Sequence, residues 1–171
     1  MESVGGQEPA LASYYLSFSF RPKRIYRKPN LSKNPFIMTS TVTYLGNLRT
    51  SATHLASGST FITDAPVDNE GKGEAFSPTD TVATALASCL MTIMGIKARD
   101  LNIDLTGTRA EVTKVMGTNP RRIVEIHIRV SFAQRFDSKT QTLLERVART
   151  CPVAYTLHPD LNQQLHFIWP Q

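Results

Sequence analysis

The chain has 171 residues, 41% hydrophobic and 19% charged, which suits one globular domain and excludes a charge-rich disordered polymer. Its net charge of +5 is concentrated at the front: residues 1–37 hold six basic and two acidic side chains, leaving 13 basic and 12 acidic residues for 38–171. A near-neutral body lacks the phosphate-neutralising surface of a nucleic-acid binder, and no uncharged apolar run reaches the roughly 18–20 residues of a membrane span.

Residues 1–37 are expected to form an N-terminal extension and 38–171 the folded domain. The opening "MESVGGQEPALASYYLSFSF" has neither a basic start nor a small-residue cleavage site, and Glu2 and Glu8 disfavour a transit peptide. The absence of export signals makes a cytoplasmic location the default expectation. "RPKRIYRKPNLSKNP" reads as an exposed basic linker or an arm for a partner subunit; the other reading is that Met38 is the natural start and residues 1–37 are a flexible or non-native extension.

From residue 38, alternation predicts strands at 40–45 and 59–64, with a second strand or hairpin between them. Residues 64–76 are rich in turn formers and acids and read as a loop. Ser77-Pro78-Thr79-Asp80 carries a helix start: Ser77 can cap, Pro78 fits the first position, and Asp80 favours the positive helix end. The helix should run to about Arg99. Strands at 108–116 and 123–132 flank a turn at 117–122, with Val124, Ile126, Ile128 and Val130 on one face and Ile123, Glu125, His127 and Arg129 on the other. Asp137 or Ser138 should cap a second helix at 139–150, stopped by Pro152, and 164–169 should be a closing strand. This order predicts an α+β domain with helices on one side of antiparallel strands.

The helix opened by Ser77 is apolar nearly all round, relieved only by Thr81, Thr84, Ser88 and Thr92. Such a helix is expected to be buried on every side. A body of this size rarely encloses one alone, so a second copy is expected to complete the cover in an intimate homodimer. Cys89 lies in the middle of this helix, and two readings are open. It is a small core residue, or it is a reactive thiol that needs a cation from elsewhere, since it lies about three turns beyond the helix N-terminus. Cys151 stands before Pro152, where free backbone N–H groups could favour a thiolate. The two cysteines are compatible with a peroxidatic and resolving pair, or with two unrelated core positions. Cys89, Cys151 and His158 lack close metal-ligand spacing.

"GKGEAFSPTDTVATALASCLMTIMG", "AEVTKVMGTNPRRI" and "LLERVARTCPVAYTLHPDL" resemble the OsmC/Ohr family (osmotically inducible and organic hydroperoxide resistance proteins) over residues 40–169. The resemblance implies an OsmC-like α+β fold with two central helices in an intertwined homodimer whose active sites lie at the interface. It implies a thiol-dependent peroxidase acting on organic hydroperoxides in oxidative stress defence. Carried across by motif position, Cys89 would be peroxidatic and Cys151 resolving, through a sulfenic acid and then a disulfide. Their Cα atoms would have to lie within about 7 Å or move there. No cofactor is implied beyond an external thiol or dithiol reductant.

Where other members carry a glutamate in the first helical turn, paired with an arginine, this chain has Thr79. Asp80 can substitute, although capping is its simpler role, and Glu74 is a second substitute. Arg49 is the preferred arginine. An apolar pocket lined by Leu90, Met91 and Met94 would suit a hydrophobic peroxide. A different reading is a non-catalytic module binding a small hydrophobic or thiol ligand at the dimer interface, which predicts an inert Cys89.

Overall fold

β-branched residues in alternation fold the front of the domain into a meander. The structure, a computed structural model, describes residues 37–171, so the expected extension and its basic arm lie, apart from Ile37, outside the described residues. β1 (Ser40–Gly46), β2 (Arg49–His54) and β3 (Thr60–Asp64) pair antiparallel in that order. The segment between the first two predicted strands is thus a single strand with a turn at each end. Asn47 and Leu48 in the first turn both have positive φ, 52° and 61°, as a two-residue hairpin turn of matching twist requires. The Leu48 N–H donates to the Tyr44 hydroxyl at 3.2 Å.

After the loop, α1 spans Pro78–Asp100, ending one residue beyond the predicted Arg99. The start signal is realised in full: the Ser77 hydroxyl accepts from the Asp80 N–H at 3.0 Å, and the Asp80 carboxylate accepts from the Ser77 N–H at 2.8 Å. One chain covers α1 incompletely, as expected of a body of this size. Within one chain α1 buries one side only, through Ala83, Leu86, Ala87, Leu90, Met94 and Ala98, while Val82, Thr84, Ala85, Ser88, Thr92 and Ile96 stay exposed. By length and composition α1 is also apolar enough to cross a membrane, although its uncharged stretch, residues 81–96, is shorter than the roughly 18–20 residues of an uncharged span. Its buried side packs on a sheet and two other helices, so its apolar character is that of a core helix.

β4 (Arg109–Thr118) and β5 (Arg121–Ser131) form the predicted hairpin. Ile126, Ile128 and Val130, which the alternation placed on one face, are fully buried. Asp137 caps α2 (Ser138–Ala148), accepting from the N–H groups of Lys139 and Thr140 at 2.9 and 3.0 Å. A single helical turn, α3 (Pro152–Thr156), follows. β6 (Asn162–Ile168) then pairs parallel to β5, giving the second sheet the order β4-β5-β6. A parallel pairing needs a long crossover, and residues 132–161, with α2 and α3, supply it. The fold is α+β.

The core joins Leu86, Leu90 and Met94 of α1 to Ile126, Ile128 and Val130 of β5 and Leu144 of α2, all at most 1% exposed. Leu90→Ala should therefore leave a cavity on the helix–sheet interface and lower stability by about 3 kcal/mol, read from a denaturant midpoint at unchanged slope. A loss below ~1 kcal/mol would mean that Leu90 is not in that core. The first sheet makes its contacts chiefly among its own strands and leaves Val42, Tyr44, Phe61 and Ile62 about half exposed or more.

Candidate functional site

Cys89 and Cys151 come from different helices, α1 and the start of α3. Cys89 is half-buried on α1 and packs against the core cluster; Cys151 is fully buried at the N-cap of α3, where α2 ends. The two thiols lie close enough for Cys89 to act on Cys151, both packed in the same core cluster. Burial, and then the neighbouring Cys89, pushes the Cys151 thiol above its ordinary range. The backbone N–H groups of Ala154 and Val153 pull the other way, as expected at a helix start, but a single turn of helix does not offset the desolvation.

Arg49 lies in a second cluster, on the first sheet. It stands opposite Asp64 in the β2–β3 register, and its Nη2 donates to Asp64 Oδ2 at 3.0 Å and to the Glu74 carboxylate. The Glu74 N–H also donates to Asp64 Oδ2, at 2.9 Å. These hydrogen bonds, Glu74's first, raise the Arg49 guanidinium still further above neutrality. Asp64 is held below the usual carboxylate range by the Glu74 N–H and by Arg49, against the cost of burial. Asp64 is a member of this cluster that the sequence analysis did not single out, and alternation gave no signal for it, since Thr60 and Ile62 on the same face of β3 are exposed. Among the described residues of one chain, no hydrogen bond or ion pair joins Arg49 to either cysteine.

Of the two candidate carboxylates for Arg49, the loop residue Glu74 makes the contact and Asp80 does not. Asp80 closes the helix cap and pairs with Lys114 Nζ at 2.6 Å, because Lys114 occupies an inward position of β4 beside Ala110 and Val112. Burial raises the Asp80 carboxyl, but the bonds from Lys114 and Ser77 outweigh it and leave it low. Thr79 spends its hydroxyl on the same cap, 3.1 Å from the Ser77 Oγ. Asp80→Ala should thus cost about 1 kcal/mol as a lost cap with the alkylation rate of Cys89 unchanged; a tenfold slower alkylation would instead tie Asp80 to the thiol.

A groove runs between α1 and β4, floored by Thr84, Ala87, Met91, Ala110 and Val112 and ending at Asp80 and Lys114. Only Met91 of the three apolar residues expected to line a pocket does so. Leu90 and Met94 are completely buried in the core, because they share the helix face of Leu86.

Fold and site together define a dithiol α+β domain, with a cysteine pair at the core helix and an arginine–carboxylate cluster on a separate sheet. The chain belongs to the OsmC-like family, whose sequence pattern matches residues 71–165. It is similar to a solved protein of Psychrobacter arcticus, named for osmotic stress induction and a detoxification response, at 58% identity and TM-score 0.76, covering 79% of this chain and 98% of that one. The fold is shared by an organic hydroperoxide resistance protein OsmC of Legionella pneumophila (14% identity, TM-score 0.59, 77% and 98% covered). It is also shared by an organic hydroperoxide resistance protein of Elizabethkingia anophelis (14%, 0.63, 81% and 99%). No curated protein matches the sequence.

Proposed function

We propose that this chain is a thiol-dependent peroxidase that reduces organic hydroperoxides, and the observation that carries the reading is the proximity of Cys89 and Cys151 at one core cluster. The family's link to organic hydroperoxide resistance supports it. Exposure supports the roles, since Cys89 is half-buried and Cys151 is sealed in the core. The Cys89 thiolate attacks a peroxide oxygen, so that an S–O bond forms as the O–O bond breaks, and the alkoxide leaves with a proton as the alcohol. Cys89 is then a sulfenic acid. Cys151 attacks its sulfur, the S–S bond forms, and water departs with the Cys151 proton. An external dithiol restores both thiols by exchange, leaving as its own disulfide.

Arg49 supplies the cation that a mid-helix thiol needs. Two copies of the chain associate so that the Arg49 cluster of one faces the cysteine pair of the other. The exposed side of α1 and the uncovered residues Val42, Tyr44 and Phe61 support such an association, since one chain leaves that apolar surface in water.

One equivalent of cumene hydroperoxide, followed by mass spectrometry, tests the reading. A Cys89–Cys151 disulfide within seconds, and steady consumption when dihydrolipoamide is added, is the expected result. Thiols that survive excess peroxide unmodified would overturn it and favour a ligand-binding role for the groove. The raised Cys151 thiol fixes a pH dependence. Attack needs the thiolate, and below its pKa the thiolate fraction grows about tenfold per pH unit. Disulfide closure, measured after rapid oxidation of Cys89, should therefore accelerate about that steeply between pH 6 and 8. A flat profile would mean that Cys151 is not the attacking group.

A further inference from the structure

We infer that Asp64 is the positioning residue of Arg49, the group that fixes where its guanidinium stands, and that Glu74 is a secondary partner. The inference rests on the peroxidase reading only in that Arg49 acts on Cys89. The two carboxylates around Arg49 are not equivalent. The Asp64 side chain is fully buried at the end of β3, directly across from Arg49, whereas the Glu74 side chain is 58% exposed on a loop. Water competes for Glu74 and not for Asp64. Asp64 also holds Glu74 itself, through the Glu74 N–H, so removing Asp64 loosens both partners, and removing Glu74 loosens only one.

Two further features show what this arrangement costs. Asp64 Oδ1 is buried without a hydrogen-bond partner among the described residues, an unfavourable state for a carboxylate oxygen. Leu48, immediately before Arg49, is held at a φ of 61°, a backbone conformation that L residues with side chains rarely adopt. Its carbonyl accepts from the Ala65 N–H at 3.2 Å, next to Asp64. Strain and unmet polarity at one strand end are features that cluster where a side chain must be held in place. Among the described residues both hydrogen bonds of Arg49 use Nη2, which leaves Nε and Nη1 as donors for a thiolate or a peroxide oxygen.

The sign of the effect separates positioning from charge. Asp64 is negative, so acting through space it disfavours a nearby thiolate, and its neutralisation would lower the Cys89 pKa. Acting through Arg49, its loss displaces the activating cation and raises that pKa.

The experiment measures the pH dependence of Cys89 alkylation by iodoacetamide in the full chain, in a Cys151→Ser background that leaves one thiol. Asp64→Asn should slow alkylation at pH 7 about tenfold by moving the profile upward, most of the way to that of Arg49→Ala, with Glu74→Gln moving it less. An Asp64→Asn profile that is unchanged or shifted downward, with Arg49→Ala still shifted upward, overturns the inference and leaves the role of Arg49 standing. An unchanged Arg49→Ala profile removes the premise, and the inference fails with it. Should Asp64→Asn not fold, the Arg49 Nη resonances of Glu74→Gln decide. Hindered guanidinium rotation is expected to persist there through Asp64, and free rotation would make Glu74 the anchor and overturn the inference.

Discussion

Cys89→Ser should reduce hydroperoxide consumption by at least about a thousandfold, with no sulfenic acid or disulfide formed at any pH. A serine hydroxyl at this half-buried helix position is not ionised, and its oxygen cannot take up the electrophilic peroxide oxygen as sulfur does. Nothing else in the pair replaces it, because Cys151 is sealed in the core with its thiol pushed up by burial. The partner variant, Cys151→Ser, should behave differently. It should consume one equivalent of peroxide per chain in a burst, with Cys89 held as sulfenic acid, and turn over slowly with dithiol. Steady-state consumption and intact mass check both. A Cys89→Ser protein within tenfold of wild type would place the chemistry elsewhere.

Arg49→Ala should lower the rate constant for Cys89 oxidation about a hundredfold at pH 7, and Arg49→Lys should recover only part of it. Cys89 stands about three turns from the start of α1, beyond the reach of the helix dipole, so the thiolate depends on a side chain brought from outside the helix. A guanidinium held at Nη2 by two carboxylates still presents donors at Nε and Nη1. A lysine offers one compact charge, and its three donors have no fixed planar array. Rapid-mixing oxidation of the wild type and the two variants gives the ratios. Because the cluster carries two carboxylates against one cation, Arg49→Ala also leaves uncompensated negative charge, so its effect should exceed that of Asp64→Asn. Equal oxidation rates in Arg49→Ala and wild type would detach the arginine from the thiol.

Local rules carried the fold a long way. The Ser77-Pro78-Thr79-Asp80 start, the Asp137 cap, the β4–β5 hairpin and the buried face of Ile126, Ile128 and Val130 all follow from short-range periodicity and capping, and the structure has them. The parallel placement of β6 beside β5 was not legible, since alternation looks the same in either direction and only the crossover through α2 decides it. The same holds for the helix cover: composition marked α1 as apolar all round, but which side one chain covers depends on where β5 and α2 pack.

At the candidate site the sequence by itself determined the residue types and their local settings: a cysteine in the middle of an apolar helix, another at a helix start before proline, and an arginine on an early strand. Only the tertiary structure decided the pairings. Cys89 meets Cys151 across 62 positions, Glu74 and not Asp80 reaches Arg49, Asp80 is taken by Lys114, and Asp64 enters a cluster with no sequence neighbour to announce it. The physical reason is that capping and alternation act over a few residues and are written in the local chain, whereas a salt bridge or thiol contact depends on where separate elements dock. That docking is set by the summed burial of many apolar side chains, in which no single residue names its partner.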